Sequence, residues 1–127
     1  MGYPADFKYT KEHEWLKIEG GTGTIGITDH AQQALGDIVF VELPKVGAEL
    51  TVGASFGTVE SVKAVSDLFA PVSGVVTAVN ADLASAPEKV NTEPHAAWMV
   101  KITLADPNEV IGLLSAADYD KFAAEES

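Results

Sequence analysis

Apolar and polar residues alternate at every second position through much of this chain, in stretches of only four to six residues broken by glycine. That period belongs to half-buried strands and predicts a mainly β fold. Residues 14–18 and 23–27 read as strands joined by a loop at 19–22, where Gly20 and Gly21 can supply the positive φ values of a hairpin turn. The period then changes. Thr28 can cap a short helix, Asp29 suits its first turn, Ala31, Ala34 and Leu35 share one face, and Gly36 can end it. This helix is expected to plug one end of a barrel. The run Ile38, Val39, Phe40 and Val41 is apolar throughout, as in a strand buried on both sides.

Two alternating arms, Phe56 to Glu60 and Val65 to Phe69, flank Ser61, Val62, Lys63 and Ala64 and put the lysine at a hairpin tip. Residues 72–79 are expected to form a further strand pair, 80–91 a helical turn with a loop, and 98–104 a closing strand. Pro44 to Gly47 and Pro71 to Gly74 each lead into strand patterns, a weak sign of an internal two-fold. The last part is helical. Asp106 as N-cap, Pro107 at the first position and Glu109 at the third precede Val110, Ile111, Leu113 and Leu114. A second helix begins near Ser115, with Tyr119 and Phe122 on one side, and the tail Glu125–Ser127 is expected to fray.

With 127 residues and 46% hydrophobic content, the chain suits one domain with a real core. The core is placed at about residues 7–104, with a helical extension at 106–125. The absence of cysteine excludes disulfides, thiolate catalysis and cysteine-based zinc sites, so any sulfur redox chemistry must come from a cofactor. Nineteen acidic residues against eight lysines give a formal charge of −11, which disfavours nucleic acid and anionic membranes and favours basic protein surfaces. No apolar run is long enough to span a bilayer, and the start lacks the pattern of a signal or an Arg-rich presequence. A bacterial cytoplasmic location is therefore expected, rather than a mature mitochondrial one. His13, His30 and His95 have no metal-binding spacing, and the glycines at 20, 21 and 23 read as a turn, not a phosphate loop.

Several strings then converge: Gly26 to Ala31, Leu35 to Val39, Val41 to Pro44 and Glu60 to Ala64, framed by His13 to Trp15, Ala70 to Gly74, Asn80, Asn91 and Trp98 to Ile102. Together they resemble the glycine cleavage system H protein family along nearly the whole chain. The resemblance implies a barrel-sandwich hybrid fold of the lipoyl and biotinyl type, with lipoate in amide linkage on Lys63. It implies a carrier and not an enzyme. A pyridoxal-phosphate glycine decarboxylase (P protein) would load an aminomethyl group, a folate-dependent aminomethyltransferase (T protein) would take it, and dihydrolipoamide dehydrogenase (L protein) would reoxidise the dithiol.

A lipoate ligase or lipoyltransferase would recognise Glu60, Ser61, Val62 and Ala64 around the lysine. The resemblance also implies an acidic cleft for the loaded arm, for which Glu12, Glu14 and Asp67 are candidates. Glu12 departs from the family, which has a small polar residue there. Ala97 departs too, standing where the family usually has glycine; a positive φ there would cost about 1 kcal/mol. A biotinyl carrier would flank its lysine with methionines, whereas Val62 and Ala64 flank Lys63. An H-like protein that donates or relays lipoate stays open as an alternative.

Overall fold

The computed structural model describes residues 3–126. Among these residues nine strands form two antiparallel sheets. In chain order they are β1 (Phe7–Tyr9), β2 (Glu14–Glu19), β3 (Thr22–Ile27), β4 (Ile38–Glu42), β5 (Glu49–Leu50), β6 (Ser55–Ser61), β7 (Val65–Phe69), β8 (Gly74–Val79) and β9 (Val100–Leu104). The larger sheet runs β1-β2-β3-β9-β8-β5 and the smaller β4-β6-β7. Ile27 and Met99 of the larger side meet Val41, Val59 and Leu68 of the smaller in one apolar cluster, and Phe56 bridges it to a second cluster around Ile25, Val76 and Ile102. This is a barrel-sandwich hybrid.

The β2–β3 hairpin closes with Glu19 opposite Thr22, so Gly20 and Gly21 form a two-residue turn in which Gly20 has a φ of 62°. Helix α1 (Asp29–Leu35) starts where Thr28 Oγ1 accepts from Ala31 N–H and stops at Gly36, whose φ is 84°. Ala31 and Leu35 pack on the core, but Ala34 is exposed, because seven residues give a stripe too narrow for all three. The segment expected to be a helical turn with a loop holds two short helices, α2 (Asp82–Ser85) and α3 (Lys89–Thr92).

Four expectations need correction. β4 is an edge strand with one buried face: Ile38 and Val41 point into the core, while Val39 and Phe40 are half exposed because their side of the strand faces solvent. Residues 74–79 form one strand, not a pair, lying between β9 and β5. The segment capped by Asp106 is a 3-10 helix, Pro107–Gly112, with Ile111 82% exposed. Its Glu109 does not close a capping box; the carboxylate accepts from Ser73 N–H at 2.7 Å and Ser73 Oγ at 3.1 Å, tying the extension to β8. Finally, helix α4 (Ala116–Glu126) takes in Glu125 and Glu126, while Ser127 and Met1 lie outside the described residues.

Among the described residues His13, at φ 72°, is the non-glycine with positive φ; Ala97 is not, so the strain expected of it is absent. Ala97 is simply buried.

A third cluster joins Phe7, Tyr9, Trp15, Tyr119 and Ala123, seating α4 against β1. Trp15 stacks on Phe7 at 4.7 Å and donates its indole N–H to Pro94 O at 3.0 Å. Its ring crosses Gly26, directly opposite on β3. A Cβ at Gly26 would stand 2.5 Å from the indole carbons. Gly26→Ala should therefore cost about 1–3 kcal/mol by overpacking. A denaturant midpoint equal to that of the parent would show that Trp15 can move aside.

Candidate functional site

The β6–β7 hairpin carries Lys63 at its tip. Glu60 pairs with Val65 as the last rung, and Ser61 N–H donates to Ala64 O at 2.8 Å to close the turn. Ser61 is buried, and its Oγ accepts from Lys63 N–H at 3.3 Å and Ala64 N–H at 3.0 Å, so one hydroxyl holds the turn from inside. Lys63 is exposed and, among the described residues, has no salt-bridge partner. Around it Val62 is 69% and Val65 67% exposed, and Phe40 lies opposite Glu60 on β4. A reachable amine thus sits amid solvent-facing apolar side chains.

The three acids named as cleft candidates have different surroundings. Glu14, at the start of β2, is 2% exposed. Its Oε1 accepts from Thr10 Oγ1 at 2.6 Å, and its Oε2 reaches across to the second sheet and accepts from Phe69 N–H at 3.2 Å. Burial pushes its carboxyl up to about 7, and the charge of Glu12 adds to the rise, although both hydrogen bonds oppose it. Asp67 is exposed on β7, opposite Thr58 and two residues before Phe69. The Glu14 carboxylate thus meets the strand that carries Asp67 two residues before Phe69, while Lys63 lies four residues from Asp67 toward the hairpin tip, about 13 Å at strand spacing.

Glu12 is exposed and opens into a groove of about 270 Å³ whose wall includes Thr10, Val52, Ala70, Pro71 and Leu114, but neither Glu14 nor Asp67. Glu12 acts on Glu14 through its charge, whereas Asp67 is linked to Glu14 only through β7, on which Phe69 N–H meets the Glu14 carboxylate.

The histidines are built into the frame. His13 Nδ1 lies 2.7 Å from Tyr119 Oη, which lies 2.7 Å from Thr28 Oγ1 at the cap of α1. His13 also stacks on His30 at 4.5 Å. His95 Nε2 accepts from Asp29 N–H at 3.2 Å, and burial holds its imidazole below the usual histidine range, consistent with a neutral ring. Among the described residues no group of three or more His, Asp or Glu side chains could hold a metal ion. No helix among them is long and apolar enough to cross a membrane.

Sequence reasoning missed Thr10, Phe69 and the corner at Gly36 and Asp37. Thr10 and Phe69 act on Glu14 through pairings of four and 55 residues, and no local pattern marks them. Gly36 is legible as a helix stop and as part of the family-like string Leu35 to Val39, but not as the floor beneath Lys63.

The family model described as "Glycine cleavage H-protein" matches residues 7–126. A glycine cleavage system H protein of Koribacter versatilis is 74% identical over 127 residues, covering 100% of this chain and 98% of its own. One from Acidobacterium capsulatum is 62% identical with the same coverage. A crystal structure of a glycine cleavage system H protein from Mycobacterium marinum superposes with a TM-score of 0.86 at 40% identity, covering 98% of each chain.

Proposed function

The chain belongs to the glycine cleavage H-protein family and is a carrier component of that system, and we propose that it does its work through a lipoyl group in amide linkage on Lys63. The observation that carries this reading is the exposed amine of Lys63, without a salt-bridge partner among the described residues, at the tip of a tight hairpin inside a chain that matches the family over residues 7–126. A ligase must swallow that amine to acylate it. A two-strand projection offers it without unfolding the domain.

Lipoate would supply a dithiolane able to take up and release a one-carbon amine and to be reoxidised, which a chain without cysteine cannot provide. The residues present fit the group: among the described residues the lysine has no salt-bridge partner, so amide formation, which removes its charge, strands none of them. In this role the protein shuttles the aminomethyl group from the P protein to the T protein, and the L protein restores the disulfide. Glu60, Ser61, Val62 and Ala64 form the face that the attaching ligase or lipoyltransferase meets, within one carrier domain at home in a bacterial cytoplasm.

Glu14 and Asp67 are the acids best placed to receive a cationic end of the arm. Glu14 would meet a cation as a carboxylate only after giving up its proton, so its contribution should grow as pH rises through about 7.

The test is mass mapping after incubation with lipoate, ATP and a lipoate ligase, beside a parallel biotin ligase reaction. One lipoyl increment on the peptide holding Lys63, with none from the biotin reaction, is expected. A folded protein that takes no lipoyl group would remove the assignment.

A further inference from the structure

The hairpin tip does not project freely. It rests on the corner between α1 and β4. Val62 N–H donates to Asp37 O at 3.0 Å, and the methylene stem of Lys63 lies over Gly36, with Cε 3.5 Å and Cδ 3.9 Å from where a Cβ on that glycine would stand. Gly36 has φ 84° and ψ −158°, a conformation close to exclusive to glycine. The corner therefore receives both the backbone and the side chain of the tip, and it offers the lysine stem a floor with no side chain of its own.

One residue from far along the chain holds this corner in shape. Asn91 Nδ2 donates to Gly36 O and to Gln32 Oε1, each at 2.9 Å, while its Oδ1 accepts from Ile38 N–H at 2.8 Å. These contacts span the last turn of α1, the corner itself and the first residue of β4. A surface corner with few bonds of its own would otherwise drift between arrangements. The amide of Asn91 is the group able to do this, because it offers two donors and an acceptor in one plane.

We propose that the Gly36–Asp37 corner, clamped by Asn91, is the seat that fixes where Lys63 is presented, which makes Asn91 a positioning residue for acylation of that lysine. The proposal rests on the reading of Lys63 as the attachment site. Seating part of the stem before encounter removes ordering that the ligase would otherwise have to impose on a long, mobile side chain. Asn91 touches neither the ligase nor the amine in this scheme. It acts through the corner.

The test compares Asn91→Ala with Asn80→Ala in the full-length chain. Asn80 is also a backbone clamp, donating to Trp98 O at 2.8 Å and accepting from Asp82 N–H at 3.2 Å, but its bonds involve no residue of the corner or the hairpin tip. Initial lipoylation rates are read against carrier concentration with lipoate ligase, ATP and lipoate, alongside melting temperatures. Asn91→Ala is expected to lose about tenfold in kcat with the KM for the carrier little changed, as a misplaced reacting group does, while Asn80→Ala keeps parental kinetics at a similar melting temperature. Equal kinetics for the two variants would overturn the proposal. Asn91→Asp, which keeps the acceptor for Ile38 and loses both donors, makes the same comparison should the alanine variant not fold. A parent protein that takes no lipoyl group would instead sink the reading of Lys63, a different result from an acylated parent with indifferent variants.

Discussion

Lys63→Arg should fold and melt like the parent yet take no lipoyl group and support no glycine cleavage. The side chain is exposed and has no salt-bridge partner among the described residues, so little stability depends on it; surface changes of this kind usually fall within about 0.5 kcal/mol. The chemical consequence is complete. A guanidinium stays protonated at any workable pH and is no acyl acceptor, so the conservative charge does not rescue the missing amine. The measurement pairs a thermal melt with glycine–bicarbonate exchange in a system reconstituted from P protein and the variant. Normal exchange by a well-folded variant would show that the carrier group is attached elsewhere.

Glu14 should make the protein lose stability as pH rises from weakly acid to neutral, the reverse of a salt-bridged carboxylate. The sign follows from its shift. A carboxyl that titrates at 4.5 when free and at about 7 when folded binds its proton more tightly in the folded state. Its contribution is fully present below pH 4.5, declines between there and about 7, and is gone above, with a total change of about 3 kcal/mol. Glu14→Gln removes the titration while keeping an oxygen for Phe69 N–H. The difference in unfolding free energy between variant and parent should therefore slope in favour of the variant across pH 5 to 8. Parallel profiles would mean that the folded carboxyl titrates normally, and its burial between the sheets would then need another explanation.

Where the deciding physics is local, the chain is readable. Gly20 and Gly21 announced a two-residue turn, Thr28 and Gly36 the two ends of α1, Asp106 a cap, and Ser61 to Ala64 a lysine-bearing tip; each depends on residues within four positions of one another. What was not legible depends on which strands neighbour which. The run Ile38 to Val41 reads as buried on both faces because apolar content alone cannot reveal that one face of β4 is left to solvent. The split into sheets of six and three strands follows from pairings such as β3 with β9, which no short pattern encodes.

The candidate site divides the same way. Lys63 stood out from its motif, whereas Glu12, Glu14 and Asp67 read alike as acids, and their difference arises only in three dimensions: one is locked between Thr10 and Phe69, one is open on β7, and one faces a separate groove. Asn91 was visible only as part of a resemblance. Its reach back to Ile38 crosses 53 residues.

The pairing of β3 with β9 also governs how the molecule comes into being. On the ribosome, β2 and β3 can form their hairpin early, but the inner edge of β3 stays open until Leu104 has left the exit tunnel. Thr28, which caps α1, waits longer still for the hydroxyl of Tyr119 in the final helix. A nascent chain therefore holds an unpaired strand edge until residues 100–103 arrive and closes its fold through contacts distant in sequence, the circumstance in which folding is slow and neighbouring chains compete for the open edge.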